Sequence, residues 1–224
     1  MEREKGLLKL AERKRLKQGF LIAIEGIDGA GKTTQSVILE RRLKEEGYPV
    51  VRLHEPTEGR WGQKIKELAK NGRHKISPEA ELEFFYLDRL EDVEKNIKPA
   101  LREKKVVIMD RYYFSSVAYQ GARGLDPDLI EKKNEEIAPI PNITIILDIE
   151  PEVALRRIRH KRNTTPNHFE RKRYLELVRK IFLKQFSNRP NVVIVDGDDN
   201  RSIEIVASDI WKIVKPLIDQ IEET

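Results

Sequence analysis

The chain of 224 residues contains no cysteine. Disulfides, thiolate metal sites and a cysteine nucleophile are therefore excluded. It has no apolar run long enough to cross a bilayer, and its N-terminus lacks the apolar stretch of a signal peptide. A cytoplasmic protein is the expectation. No internal repeat or low-complexity linker divides it, and its length suits one domain with an ample core. Neither sign of charge dominates: Lys and Arg number 43, Asp and Glu 38, for a net charge of +5. That small basic excess suits polyanionic partners, nucleotides or nucleic acid. Abundant charge without cysteine also fits a hot environment.

What is present is organised around Gly26-Ile27-Asp28-Gly29-Ala30-Gly31-Lys32-Thr33. Glycine, four residues, then Gly-Lys-Thr is the spacing of a phosphate-binding loop. The glycines let backbone N–H groups converge on a phosphate, Lys32 adds positive charge, and Thr33 offers a hydroxyl to Mg²⁺. Lys32 is expected to be exposed to ligand rather than packed. The context supports the motif. Phe20 to Ile24 reads as a buried parallel strand, and Val37, Ile38, Leu39 and Leu43 recur at helical spacing until Gly47.

Residues 1–18 carry Leu7, Leu8, Leu10, Ala11 and Leu16 among many charges, which predicts an amphipathic helix. The favoured reading is an extra helix packed on the domain or a frayed arm; the alternative is a basic arm for nucleic acid or a partner. The domain proper is expected to span 19–224. Strands are predicted at Val50–Leu53, Val106–Met109, Ile143–Leu147 and Val192–Val195, alternating with helices. This gives a three-layer α/β fold with a five-stranded, mainly parallel sheet. Ser77-Pro78 starts a helix carrying Leu82, Phe84, Phe85, Leu87 and Leu90, an apolar set expected mostly in the core. Phe85 and Arg89 share one face of it, and spacing alone favours a core phenylalanine beside a solvated arginine. Asp110 ends a buried strand, where it can reach the Mg²⁺ shell or simply pair with Arg111. Arg156 to Arg162 and the helix from about Phe169 form a basic hairpin around Asn163-Thr164-Thr165-Pro166. It reads as a lid over about 156–170, with a solvated charged face as the alternative. Pro216 should kink the last helix.

At this point the sequence resembles the thymidylate kinases. The resemblance runs from about Gly19 to the C-terminus on three segments: EGIDGAGKTT (Glu25–Thr34), FYLDR (Phe85–Arg89) and DRYYFSSVAYQG (Asp110–Gly121). It implies transfer of the γ-phosphoryl of ATP to dTMP with Mg²⁺, on a P-loop kinase fold that is usually a homodimer, with no nucleic-acid partner. It implies that Gly26 through Thr34 hold ATP, joined by Arg156 at the base of the lid. Phe85 would stack on thymine, Arg89 would reach its exocyclic oxygen, and Ser116 and Gln120 its edge. Tyr119 would sit against the deoxyribose and Asp28 near its 3′-hydroxyl. Arg111 would hold the acceptor phosphate, with Thr33 and Asp110 near Mg²⁺. Lys32, Arg111 and Asp28 would serve the chemistry together with a catalytic arginine. Members carry that arginine in the loop or in the lid. Gly29 occupies the loop position here, so Arg159 and Arg162 are the candidates.

There are departures from the family pattern. His54-Glu55-Pro56-Thr57 stands where an arginine commonly opens the run, so His54 would meet the acceptor phosphate. Lys66 stands where an arginine is common. Asp88 precedes Arg89 where a small or neutral residue is frequent. Rival readings are a kinase for another nucleoside monophosphate and a nucleotide-dependent switch or nucleic-acid-binding protein.

Overall fold

The apolar runs become strands because helices cover both sides of the sheet. β1 (Phe20–Gly26) and β3 (Val106–Asp110) are buried at every position, and β4 (Ile143–Asp148) at all but its last. That burial explains why they read as continuous apolar stretches rather than alternating ones. β2 (Val50–His54) and β5 (Val192–Asp196) are only partly covered and lie at the edges. The order is β2-β3-β1-β4-β5, with every pairing parallel. The computed structural model describes residues 13–72, 76–162 and 168–223, with backbone alone at 160–162 and 168–170.

Helices α1 (Lys32–Glu45), α2 (Arg60–Asn71), α3 (Pro78–Asp92) and α4 (Lys98–Arg102) precede β3. A π-helical turn, Val93–Ile97, joins α3 to α4. Then come α5 (Tyr113–Gly121), α6 (Pro127–Glu135), α7 (Pro151–Arg162), α8 (His168–Phe186) and α9 (Ile203–Asp219). The expected cap at Ser77 is formed, its side chain accepting from the Ala80 N–H; Asp126 likewise accepts from Asp128 and Leu129, and Ser202 from Ile205. α9 extends past Pro216.

Burial departs from expectation on α1 and α3. Val37 is 45% exposed. On α3 the buried residues are Glu81, Asp88, Arg89 and Asp92, whereas Leu82, Phe84, Phe85, Leu87 and Leu90 are half-buried. The expected apolar core face and solvated arginine are thus reversed. α3 packs a polar face against α5 and α6, whose own facing residues include Ser116, Gln120 and Asn134.

The predicted N-terminal helix falls largely on residues 1–12, outside the described residues, as does the lid tip at 163–167. The end of the extension is stitched to the C-terminus. Leu16 is buried, the Lys17 N–H donates to Ile221 O at 2.7 Å, and Glu223 N–H donates to Arg15 O at 2.9 Å. No described helix is long and apolar enough to cross a membrane.

Candidate active site

β1 ends in a loop whose glycines take left-handed conformations, with φ of 88° at Gly29 and 95° at Gly31. A Cβ at Gly29 would stand 2.7 Å from the Ala154 carbonyl oxygen. Position 29 is pressed against α7 and has no room for a basic side chain. Around Gly31 a Cβ would meet nothing within 4 Å, so the turn itself requires glycine there. α1 starts at Lys32 without a side-chain cap. Its first N–H groups and dipole therefore remain for an anion.

Lys32 is 5% exposed, which corrects the expectation of an exposed lysine. Its ammonium folds back on the loop, donating to Gly26 O at 2.9 Å and Ile27 O at 2.8 Å. Burial pushes the amine down to about 7, Arg111 adds to this, and Asp28, Asp110 and Glu25 oppose it. Beside it, Thr33 Oγ1 donates to Asp110 Oδ2 at 2.5 Å. A hydroxyl and a carboxylate converging in this way are hard oxygen donors of the kind Mg²⁺ takes.

Asp110 ends β3, which pairs with β1 on one side and with His54 of β2 on the other. The next residue, Arg111, has φ of 71°, unusual for a side-chain-bearing residue. Its guanidinium pairs with Asp28, donates to Ser115 Oγ at 3.0 Å and lies over the Tyr119 ring, 5.3 Å from the centroid. Tyr119 OH accepts from the Asp28 N–H at 2.8 Å. Asp28, Arg111 and Tyr119 thus close into one set linking the phosphate loop to α5.

Glu25 was not singled out from the sequence. It is fully buried, and its carboxylate accepts from Tyr112 N–H (2.7 Å), Ser115 N–H (3.2 Å) and Ser115 Oγ–H (2.6 Å). Burial pushes this carboxyl up, while Ser115, Arg111, Tyr112 and Lys32 draw it down. It fixes the start of α5, which carries Ser116, Tyr119 and Gln120. An acidic residue inside an otherwise apolar strand was the available signal.

Arg89 lies deeper, 1% exposed. Its Nε donates to Glu55 Oε1 and Oε2 at 3.1 and 3.0 Å, and its Nη2 pairs with the same carboxylate. Nη1 donates to Asn134 Oδ1 at 2.5 Å and Nη2 to Ser116 Oγ at 3.2 Å. Burial pushes the Glu55 carboxyl up, and the guanidinium opposes it. Asp88, the departure beside Arg89, accepts from Thr57 N–H at 2.8 Å and Thr57 Oγ1–H at 2.6 Å. It holds the loop after β2 rather than a ligand. Glu55 and Asn134, and the contact that Asp88 makes, were not expected from sequence because each acts through a partner far along the chain. Phe85 is half-buried on the same helix, and its neighbour Phe84 stacks on Trp61 at 5.8 Å.

His54 and Lys66 meet on one carboxylate: Lys66 Nζ donates to Glu58 Oε1 at 2.5 Å, and His54 Nε2 is 3.7 Å from it. His54 Nδ1 contacts Pro56 O at 3.0 Å. On α7, Arg156 pairs with Asp199, and Arg159 is exposed. The Arg162 side chain lies outside the described residues. Arg157, not expected, donates to Gly197 O at 2.9 Å and reaches Gly29 O at 3.5 Å. It ties the lid base to the phosphate loop.

Comparison with known proteins gives a consistent result. The pattern of the family described as thymidylate kinase matches residues 24–210. The chain is similar to a probable thymidylate kinase of Archaeoglobus fulgidus, at 46% identity over 200 residues covering 89% of this chain and 97% of that protein. It is similar to a thymidylate kinase of Akkermansia muciniphila at 41% identity, covering 88% and 91%. Among solved structures it resembles the thymidylate kinase of Ehrlichia chaffeensis, with a TM-score of 0.70 and 28% identity over 88% of this chain and 99% of that one.

Proposed function

The chain belongs to the thymidylate kinase family, so it phosphorylates dTMP to dTDP at the expense of ATP, and we propose that the two nucleotides meet across Arg111. The observation that carries this arrangement is the placement of Arg111 between Asp28 of the phosphate loop and Ser115 and Tyr119 of α5. Two anions must approach each other here, and an arginine fork on the seam offsets their repulsion.

ATP lies along Gly26 to Thr34, with Arg156 beside it. Lys32 exchanges its loop carbonyls for phosphate oxygens. Thr33 and Asp110 would hold Mg²⁺, which when bound would supply positive charge to the phosphates. The acceptor phosphate is its own nucleophile, so no side chain need remove a proton. Catalysis is alignment and positive charge, supplied by Lys32, Arg111 and the lid residues Arg159 and Arg162. Lid closure excludes the water that would hydrolyse ATP.

Arg89, Ser116, Gln120 and Phe85 take the base, Tyr119 and Asp28 the sugar, and Arg111 with His54 and Lys66 the acceptor phosphate. Arg89 only donates, and the buried Gln120 Oε1 is an acceptor without a hydrogen-bond partner. Thymine offers O4 as acceptor beside N3–H as donor; cytosine offers the reverse. The pair therefore suits thymine. The division into an extension of 1–18 and a kinase domain of 19–224 with a lid at about 156–170 belongs to the same proposal. So do a homodimer and the lack of a nucleic-acid partner, both resting on the resemblance.

An ATP-coupled assay across the nucleoside monophosphates tests this. dTMP should be the best acceptor, with dCMP lower in kcat/KM by about a hundredfold or more. Equal use of dCMP, or ATP hydrolysis indifferent to any monophosphate, would overturn it.

A further inference from the structure

α3 and α5 are joined by polar side chains at two levels. Arg89 Nη2 donates to Ser116 Oγ, and one turn along α5 Gln120 Nε2 donates to Glu81 Oε2, each at 3.2 Å. Glu81 and Gln120 are both 1% exposed. The two ends of the Gln120 amide have different surroundings. Its nitrogen is engaged by Glu81, whereas its oxygen is buried and has no hydrogen-bond partner. A buried acceptor without a partner is uncommon in a folded protein and marks a place where a ligand can donate.

An amide fits its space either way round, and its neighbours decide which way it sits. Arg123 settles the matter here. It pairs with Glu81 Oε2 and donates through Nη2 to Ile76 O at 3.1 Å. Arginine has no acceptor, so the carboxylate oxygen it meets is itself an acceptor. Gln120 can approach that oxygen only with its NH₂, which turns its carbonyl oxygen the other way.

We propose that Glu81, supported by Arg123, is a positioning residue for acceptor choice: it locks Gln120 with its oxygen toward the base. The site then takes a base bearing hydrogen on N3, thymine or uracil, and refuses cytosine, whose N3 is an acceptor. Two acceptors facing each other in a buried place leave both unpaired, and discrimination of that kind is large. The inference rests on the reading that Gln120 meets the base edge.

Glu81→Gln tests it at constant size. Glutamine at 81 can donate as well as accept, so Gln120 is free to turn over. The kcat/KM ratio of dTMP to dCMP should fall about tenfold or more while KM for ATP stays near wild type; the melting temperature falls as well, because Arg123 loses its charged partner. Glu81→Asp, which withdraws the carboxylate, should give a smaller fall in the same ratio. Arg123→Lys keeps a donor on Glu81 and should keep the ratio. Gln120→Ala should collapse it. If Gln120→Ala collapses the ratio and both Glu81 variants preserve it, Gln120 reads the base unaided and the role of Glu81 is overturned. If Arg123→Lys lowers the ratio as much as Glu81→Gln, discrimination depends on the Arg123 fork rather than on the Glu81 carboxylate, and the proposal also fails. A wild-type ratio in Gln120→Ala would overturn the base-edge reading itself.

Discussion

α3 and α7 are both dense in charge, yet the fold uses them in opposite ways. On α3, Glu81, Asp88, Arg89 and Asp92 are all buried, and Arg89 donates to Glu55, Asn134 and Ser116. On α7, Arg156 and Arg159 are exposed and Arg157 is half-buried, with Arg156 and Arg157 sharing Asp199. Charge taken from water must be paired where it lies, and it then holds the fold. Charge left in water contributes little to stability and stays available to a ligand. The acceptor pocket is therefore expected to be rigid and set in advance, while the lid base can respond to nucleotide.

The sharpest way to break this contrast is Arg89→Ala. It strands Glu55 in the interior, and the loss in urea denaturation should be about 3–5 kcal/mol, besides weaker dTMP binding. A loss below about 1 kcal/mol would place Arg89 with the surface arginines. Arg159→Ala should behave the other way. Its kcat should fall about a hundredfold with ground-state binding little changed, and its unfolding free energy should move by no more than about 1 kcal/mol. A change confined to KM would move the transition-state charge to another residue.

Lys32 lies between the two cases, buried like Arg89 yet meant for a ligand. Its amine is lowered from 10.5 to about 7 in the folded chain. Between those values the unfolded chain binds the extra proton, so stability from this site rises with pH across that window. A bound triphosphate favours the charged form, so ATP binding at pH 8 should take up as much as about one proton. Calorimetric titrations in buffers of different ionisation enthalpy measure that uptake. Lys32→Met should abolish it, and uptake equal to wild type in that variant would assign the proton elsewhere.

The smallest effect is expected at His54. His54→Arg should tighten dTMP binding a few-fold, since an arginine fork can hold two phosphate oxygens at once. An unchanged dTMP Kd would leave His54 as a loop residue and give the phosphate to Lys66 or Arg60.

Strand and helix alternation, the cap at Ser77, the Gly26–Thr33 loop and the Asp110-Arg111 strand end were all legible in the chain, because each is a local pattern with a local cause. The fold class followed from them. The Phe85/Arg89 face was read with the wrong polarity, since a period of 3.6 identifies which residues share a face and not what that face meets. Glu25, Glu55, Asn134 and Arg157 were overlooked for the same reason: each works through a partner on another element, as Glu55 does with Arg89 on α3. The sequence by itself determined the elements, their order and the phosphate-binding chemistry. Only the tertiary structure decided which charges are buried and which stay in water, because desolvation depends on neighbours that come from distant parts of the chain.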